Sequence, residues 1–460
     1  MGNLLTAIGQ RFSSTASGAG YDPAALPPRL AVIGLFAAAL SAGINWPAFV
    51  LSCCLVLVAT LLDGSRFWQF AHKRWLFWLT LLLTVYILVH TPLALRRFPA
   101  LANNTYPDWS HLLAISGLAS VVLGWWISRF PQLIPRLVAT AGIGMAVGVM
   151  LGIQWHRLLE RGMGVRRDWG YLPEEVGLFA GMALLGCVVM FLRRLGSREL
   201  SRKQRGFSGA GWLLAAAAAG TVLYGTQTRA LWIGAAALTV IYILWHLNST
   251  IRRRTGTLSA VVAAAVIAVT LAGLIQLDGA ERLERRMDRG GDTIAALIAL
   301  DREGVLQANP SLGERLNMWV EAMRAFTHHP ITGWGIGAKV VTDKLAKLHV
   351  GWRQPHYHNL YLEFLLGLGL IGFGLFISIG ALLVSPLLQR PRVARPVKHM
   401  LGLITLLTAF AFMFELQVGN DAGRAIIVWL MALLAGLAFV GSARVRRSDT
   451  TGTRLDQGDA

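Results

Sequence analysis

Twelve mainly apolar stretches recur along the chain, near residues 28–44, 47–63, 75–92, 110–129, 135–155, 175–192, 210–227, 229–247, 258–277, 359–386, 399–417 and 425–442. A helix needs roughly 20 such residues to cross the hydrocarbon of a bilayer. Backbone groups cannot stay unpaired in lipid, so segments of this kind cross as helices. None alternates with period two, which argues against a β-barrel. The sequence therefore predicts an all-α polytopic membrane protein of about twelve transmembrane helices. Composition agrees: 55% of residues are hydrophobic and 15% charged, against about 25% charged in a soluble domain. Soluble enzymes, collagens, disordered tails and disulfide-stapled secreted domains are excluded on the same grounds. No internal repeat is evident, which weakens an inverted-repeat transporter.

A net charge of +19 is unusual for so apolar a chain, because lysine and arginine are costly in a bilayer. Orientation absorbs most of it. With the N-terminus in the cytoplasm, 24 of the 43 basic residues fall in cytoplasmic loops and only 8 in short outer loops. The expected organisation is a cytoplasmic tail over 1–27, nine transmembrane helices over 28–277 and a large outer loop over 278–357. Three more helices over 358–443 and a cytoplasmic tail over 444–460 complete it. The first 27 residues are polar and glycine-rich and do not read as a cleavable signal. Cys53, Cys54 and Cys187 lie inside spans without metal-ligand spacing and read as small packing residues. Gly142-Ile-Gly144 and Gly367-Leu-Gly369 suit close helix–helix contact.

The outer loop, about 80 residues long, exceeds ordinary connections and points to function. Ser311-Leu-Gly-Glu314 reads as a capping box that starts a helix. Leu316, Trp319, Val320, Met323 and Phe326 then share one face, while Arg315, Asn317, Glu321 and Arg324 point elsewhere. That helix stops by Pro330, and Gly333, Gly335 and Gly337 read as a flexible turn. A patch from Ile294 to Leu300 is apolar enough to lie on the membrane surface.

The outer basic residues have no topological reason to be there. They are Arg96, Arg97, Arg157, Arg161, Arg166, Arg167, Arg229 and Arg424 in the short loops, with Arg315 in the large one. Arg229 ends Tyr224-Gly-Thr-Gln-Thr-Arg229, which joins two spans with almost no loop. A guanidinium at that depth costs on the order of 2–3 kcal/mol and needs a partner. Pairing with Glu415 would serve. Several convergent arginines would instead suit a phosphate or pyrophosphate, which guanidinium groups bind bidentately. Headgroup attraction is the better explanation for Arg96, Arg97 and Arg166-Arg167. In Pro355-His356-Tyr357-His358-Asn359, His358 enters a helix N-terminus, where the dipole and burial favour the neutral imidazole that a general base requires. Nothing beside His356 and His358 completes a zinc site. His328, His329 and His349 read as structural. There is no P-loop, dinucleotide fingerprint, Asp-x-Asp pair or serine elbow.

Three motifs in order carry a resemblance. Thr226-Gln-Thr-Arg229 resembles the Ser/Thr-x-Ser/Thr-Arg element of O-antigen ligases and polymerases. Arg315-x-x-x-Trp319 followed by Pro330-x-x-Gly333-x-Gly335-x-Gly337 resembles their outer-loop signature. His358-Asn359-x-Tyr361-Leu362 and the glycines to Gly372 resemble the His-Asn-x-x-Leu motif that leads into the next span. Ala230 departs mildly from the small residues, glycine or serine, that are frequent after the arginine.

The resemblance implies a periplasmic glycosyltransferase of the bacterial inner membrane. Its donor would be an undecaprenyl-pyrophosphate-linked O-antigen glycan and its acceptor a sugar hydroxyl of lipid A–core. His358 would act on the acceptor hydroxyl, and Arg229 and Arg315 on the leaving pyrophosphate. Arg161, Arg157, Arg166, His356, Asn359 and Trp319 would bind substrate. No metal or other cofactor is expected, and no nucleic acid, the remaining partners being membrane lipids. One base without a carboxylate nucleophile implies direct displacement with inversion, by analogy with glycosidases. The alternatives are a polymerase or protein O-oligosaccharyltransferase of the same superfamily, or a lipid-linked glycan transporter.

Overall fold

The computed structural model describes residues 25–103, 117–152, 173–195, 201–226, 228–251, 292, 295–296, 299–338, 357, 359–388, 395–414 and 421–452. The regular elements among these are all helical. In chain order they are α1 (Leu26–Ser41), α2 (Trp46–Leu62), α3 (Gly64–Ala71), α4 (Trp75–Arg97), α5 (Leu118–Arg129), α6 (Ile134–Gly152) and α7 (Pro173–Leu195). They continue with α8 (Arg202–Gly225), α9 (Arg229–Ile251), α10 (Arg302–Ala308), α11 (Pro310–Phe326), α12 (Leu360–Leu388), α13 (Arg395–Phe414) and α14 (Asp421–Gly452). Helix occupies every predicted apolar window except 258–277, which lies outside the described residues.

By length and apolarity, four stretches among the described residues can cross a membrane: Trp75–Arg97, Pro131–Leu151, Lys203–Gly225 and Tyr361–Leu387. A fifth joins α2 to α3 across a 92° bend. Helix thus falls in eleven of the twelve expected windows, and four of the described stretches, or five with the bent pair, have the length and apolarity of a crossing. The 16-residue α1, by contrast, rises only about 24 Å against a core of about 30 Å.

The bundle is organised around α14, whose residues from Ala425 to Leu437 are all buried. Small residues let it meet α5 closely: a Cβ on Gly124 would stand 2.6 Å from the Ala435 Cβ, and one on Gly436 would meet Ile127. Two polar side chains of α5 are partnered here, whereas the buried Trp429 indole of α14 has no hydrogen-bond partner among the described residues. Ser120 donates to the Val428 carbonyl at 3.1 Å, and the Trp126 indole donates to Thr60 Oγ1 at 2.8 Å. Gly144 performs the predicted close contact, backbone to backbone with Leu40 of α1, as Gly148 does with Gly43. Gly142 faces open space.

At one end of the bundle, Asp63 closes α2 and receives Arg129 from the end of α5 at 3.3 Å, with Arg66 at 3.8 Å. The Arg129 guanidinium also lies 4.4 Å from the Trp125 ring. Fully buried pairs cost about 3–5 kcal/mol to break, and with Arg129 at 26% exposure a smaller loss, about 1–3 kcal/mol, is expected for Asp63→Ala. Thermal unfolding in detergent measures it. The double variant Asp63→Leu/Arg129→Leu should regain most of that loss, because the charge it leaves beside position 63 is the half-exposed Arg66, which water can solvate.

Two sequence expectations are corrected. The N-cap of α11 is Asn309, not Ser311: the Asn309 side chain accepts from Leu312 N at 3.2 Å, with Pro310 in the first turn. Asn-Pro is the stronger start, because the proline's missing N–H would have been unsatisfied anyway. The buried face of α11 is formed by Met318, Trp319, Ala322, Ala325 and Phe326, while Met323 is 46% exposed. The stripe is rotated because the alanines let a neighbouring chain reach the helix backbone. The short helix α10, capped by Asp301, was not anticipated.

Candidate active site

At the end of α4 opposite Asp63, a second apolar cluster joins four parts of the chain. It contains Ala94 of α4 with Leu101 just beyond that helix, Ala322 and Ala325 of α11, Trp334 and Ala338 of the glycine segment, and Tyr357, Leu362 and Leu366 at the start of α12. Trp334 is its centre. Its indole donates to the Ala325 carbonyl at 2.9 Å, and its ring lies 5.0 Å from Phe98 and edge-on, 4.2 Å, to His329. Burial against these rings, then the nearby Arg97 and His328, holds the His329 pKa below the ordinary imidazole value.

The glycine segment is packed, not flexible. Gly333, Gly335 and Gly337 all have positive φ, and the strap they form docks on a break in α12. At Gly369 the backbone is non-helical, with φ 64° and ψ −169°. A continuous helix would bond Leu370 N to Leu366 O and Ile371 N to Gly367 O. The strap takes over all four groups. Trp334 N and Gly335 N donate to Leu366 O and Gly367 O at 2.7 and 3.0 Å. Leu370 N and Ile371 N donate to Pro330 O and Ile331 O at 2.9 and 3.2 Å. Two helical bonds are exchanged for four, so no backbone group is stranded. Tyr86 of α4 sets its hydroxyl 2.9 Å from Thr332 O and 2.8 Å from Leu368 O, spanning strap and break.

The break bends the helix sharply. Phe364 and Phe376 would be about 18 Å apart along a straight axis, yet their rings lie 4.5 Å apart. The predicted single span over 359–386 is therefore a short helix to Leu368 and a crossing segment from Leu370, about 28 Å long. The length explains it: 29 residues exceed what the bilayer core requires.

The short helix is capped by Asn359, whose Oδ1 accepts from Leu362 N at 3.2 Å. Tyr357, 2% exposed, is gripped at both peptide groups. Its N–H donates to Glu363 Oε1 at 2.5 Å, and its carbonyl accepts from the Trp319 indole at 2.8 Å. Among the predicted site residues, Trp319 and Asn359 are thus brought into one assembly. Arg315 stands one turn before Trp319 on α11, half-buried. His356, His358, Arg157, Arg161, Arg166, Arg167 and Glu415 lie outside the described residues.

Arg229 begins α9, its side chain outside the described set, directly after the predicted tight hairpin. Thr226 and Thr228 are buried there, the Trp232 indole donates to Leu223 O at 2.7 Å, and Tyr224 stacks on Trp232 at 5.1 Å. Distance along the chain conceals where this hairpin lies. Seven residue steps separate Leu388 from Arg395, at most about 25 Å and less than the bilayer core, so α13 returns toward the end where α12 starts. Phe410 near its close packs on Gly181 of α7, and Gly177 one turn earlier faces Thr226 and Leu231. The hairpin and the strap thus share one end of the bundle. Trp334, Tyr86 and Glu363 were missed by sequence reasoning, whereas His329 packs on Trp334 in the structural role read for it. Only Trp334, inside the glycine motif, carried a usable signal.

No curated protein matches the chain. The family model described as O-antigen ligase matches residues 214–377, from within α8 to within α12, and so takes in the hairpin, α11, the strap and the broken helix. Over this region, about a third of its length, the chain is similar to the O-antigen ligase family.

Proposed function

We propose that this protein transfers a glycan from undecaprenyl pyrophosphate to a sugar hydroxyl of lipid A–core, at the periplasmic face of the bacterial inner membrane. The match to the family model over residues 214–377 supports glycan transfer in general terms. The observation that carries the finer reading is the coincidence of the matched region with one built assembly, in which α11 and the start of α12 are bonded around Tyr357. In this reading both termini are cytoplasmic, and the end bearing Asp63, Arg66 and Arg129 faces the cytoplasm. Arg229 and Arg315 neutralise the departing pyrophosphate, with Arg157, Arg161 and Arg166 as further phosphate ligands. His358 takes the acceptor proton, and His356, Asn359 and Trp319 border the acceptor. The leaving group requires charge more than protonation, which arginine supplies at about 3–4 kcal/mol per well-placed donor. Displacement inverts the anomeric carbon and uses no metal.

The test is reconstitution of purified protein with lipid-linked glycan and lipid A–core in EDTA. Transfer to lipid A–core supports the ligase. Extension of the lipid-linked glycan alone would make it a polymerase, and modification of serine or threonine on an added protein an oligosaccharyltransferase. Movement of glycan between leaflets without transfer would make it a transporter.

A further inference from the structure

We propose that Glu363 is a positioning residue for the reaction, acting on His358 through the peptide group of Tyr357. This rests on the reading of His358 as the base. The two residues flanking His358 are tied to the first turn of α12 and to α11. Tyr357 donates its N–H to the Glu363 carboxylate and accepts the Trp319 indole on its carbonyl. Asn359 caps the helix with its side chain, and its carbonyl accepts from Glu363 N at 3.0 Å. Glu363 is therefore bonded on both sides of His358, once through its carboxylate and once through its own backbone. A carboxylate accepting a backbone N–H makes a strong, charge-assisted bond. Glu363 lies in the first turn of α12, where negative charge also suits the helix dipole. The two effects separate chemically, because glutamine keeps the acceptor oxygen and loses the charge.

Small displacements of a reacting group are costly, about 10²-fold for 1 Å. Glu363→Ala in the full chain is expected to lower kcat about 10- to 30-fold, leaving KM for lipid-linked donor and lipid A–core nearly unchanged. Glu363→Gln should restore most of the loss and leave the pH–rate midpoint in place. Equal impairment of both variants overturns the proposal, since charge and not the bond to Tyr357 would then matter. So does a rise in KM at constant kcat, which would make Glu363 a substrate ligand, or wild-type behaviour of Glu363→Ala. Should Glu363→Ala fail to fold in detergent, Glu363→Asp keeps the charge in the first turn of α12 but draws the carboxylate back from Tyr357 N by one methylene. It must then lower kcat several-fold at constant KM, and unchanged kcat overturns the proposal. His358→Ala separates the two ideas: full activity in that variant removes the base itself, whereas an inactive His358→Ala beside a normal Glu363→Ala removes only the positioning role.

Discussion

Gly369→Ala is expected to abolish transfer while the variant still inserts into the membrane. With φ 64° and ψ −169°, Gly369 occupies a region essentially restricted to glycine, and a side chain there costs about 1–3 kcal/mol before any contact is considered. The contacts are prohibitive as well. A Cβ would stand 2.5 Å from Gly333 N and closer still to the Ile331 carbonyl, both backbone atoms of the strap. Relief requires the strap to leave, and four hydrogen bonds worth about 0.5–1.5 kcal/mol each leave with it. Trp334 then loses its place between α11 and Phe98, and the assembly around Tyr357 loses its support. Activity should fall at least about 10²-fold, and amide exchange at Trp334 and Gly335 should accelerate. Gly374→Ala is the control. It lies in the same helix with nothing near its added Cβ, and alanine there favours helix by up to about 1 kcal/mol. Full activity and unchanged exchange in Gly369→Ala would show that the strap does not support the site.

His358→Ala should reduce the transfer rate about 10²- to 10⁴-fold, the range a positioned general base supplies. The loss should fall on kcat and remove the acidic limb of the pH–rate profile, because protonation of that imidazole would no longer matter. Arg229→Ala should cost about 10²- to 10³-fold through the leaving group instead, with the pH profile retained. Arg229→Lys should recover little of this, since an ammonium restores charge without the two-pronged geometry. The measurement is single-turnover transfer at several pH values in EDTA. If His358→Ala keeps its acidic limb, another group is the base.

Much of the fold was legible because apolar windows and basic loops are direct readouts of the bilayer. The hairpin before Arg229 was legible too, since two apolar runs left no residues for a loop between them. The strap was not. Gly333, Gly335 and Gly337 announce unusual backbone angles, but their partner is another backbone more than thirty residues away, and hydrogen bonds between main chains leave no mark on side-chain pattern. The break at Gly369 was hidden for a related reason. An apolar run reads as one helix whether it crosses straight or bends, and glycines in such runs, Gly367 and Gly369 included, read as sites of close helix–helix contact. The rotated face of α11 escaped because periodicity favours large residues, whereas Ala322 and Ala325 are buried by virtue of being small. Glu363 could not be found by pattern, as its bond to Tyr357 depends on chain direction before the helix.

Ala338 and Tyr357 belong to the same apolar cluster, so both ends of the segment 339–356 are anchored on one platform. A loop closed on two such anchors tolerates a change of length at about 0.6 kcal/mol for each doubling, so an insertion between Ala338 and Tyr357 is expected to leave the packing of Trp319 and Trp334 unchanged.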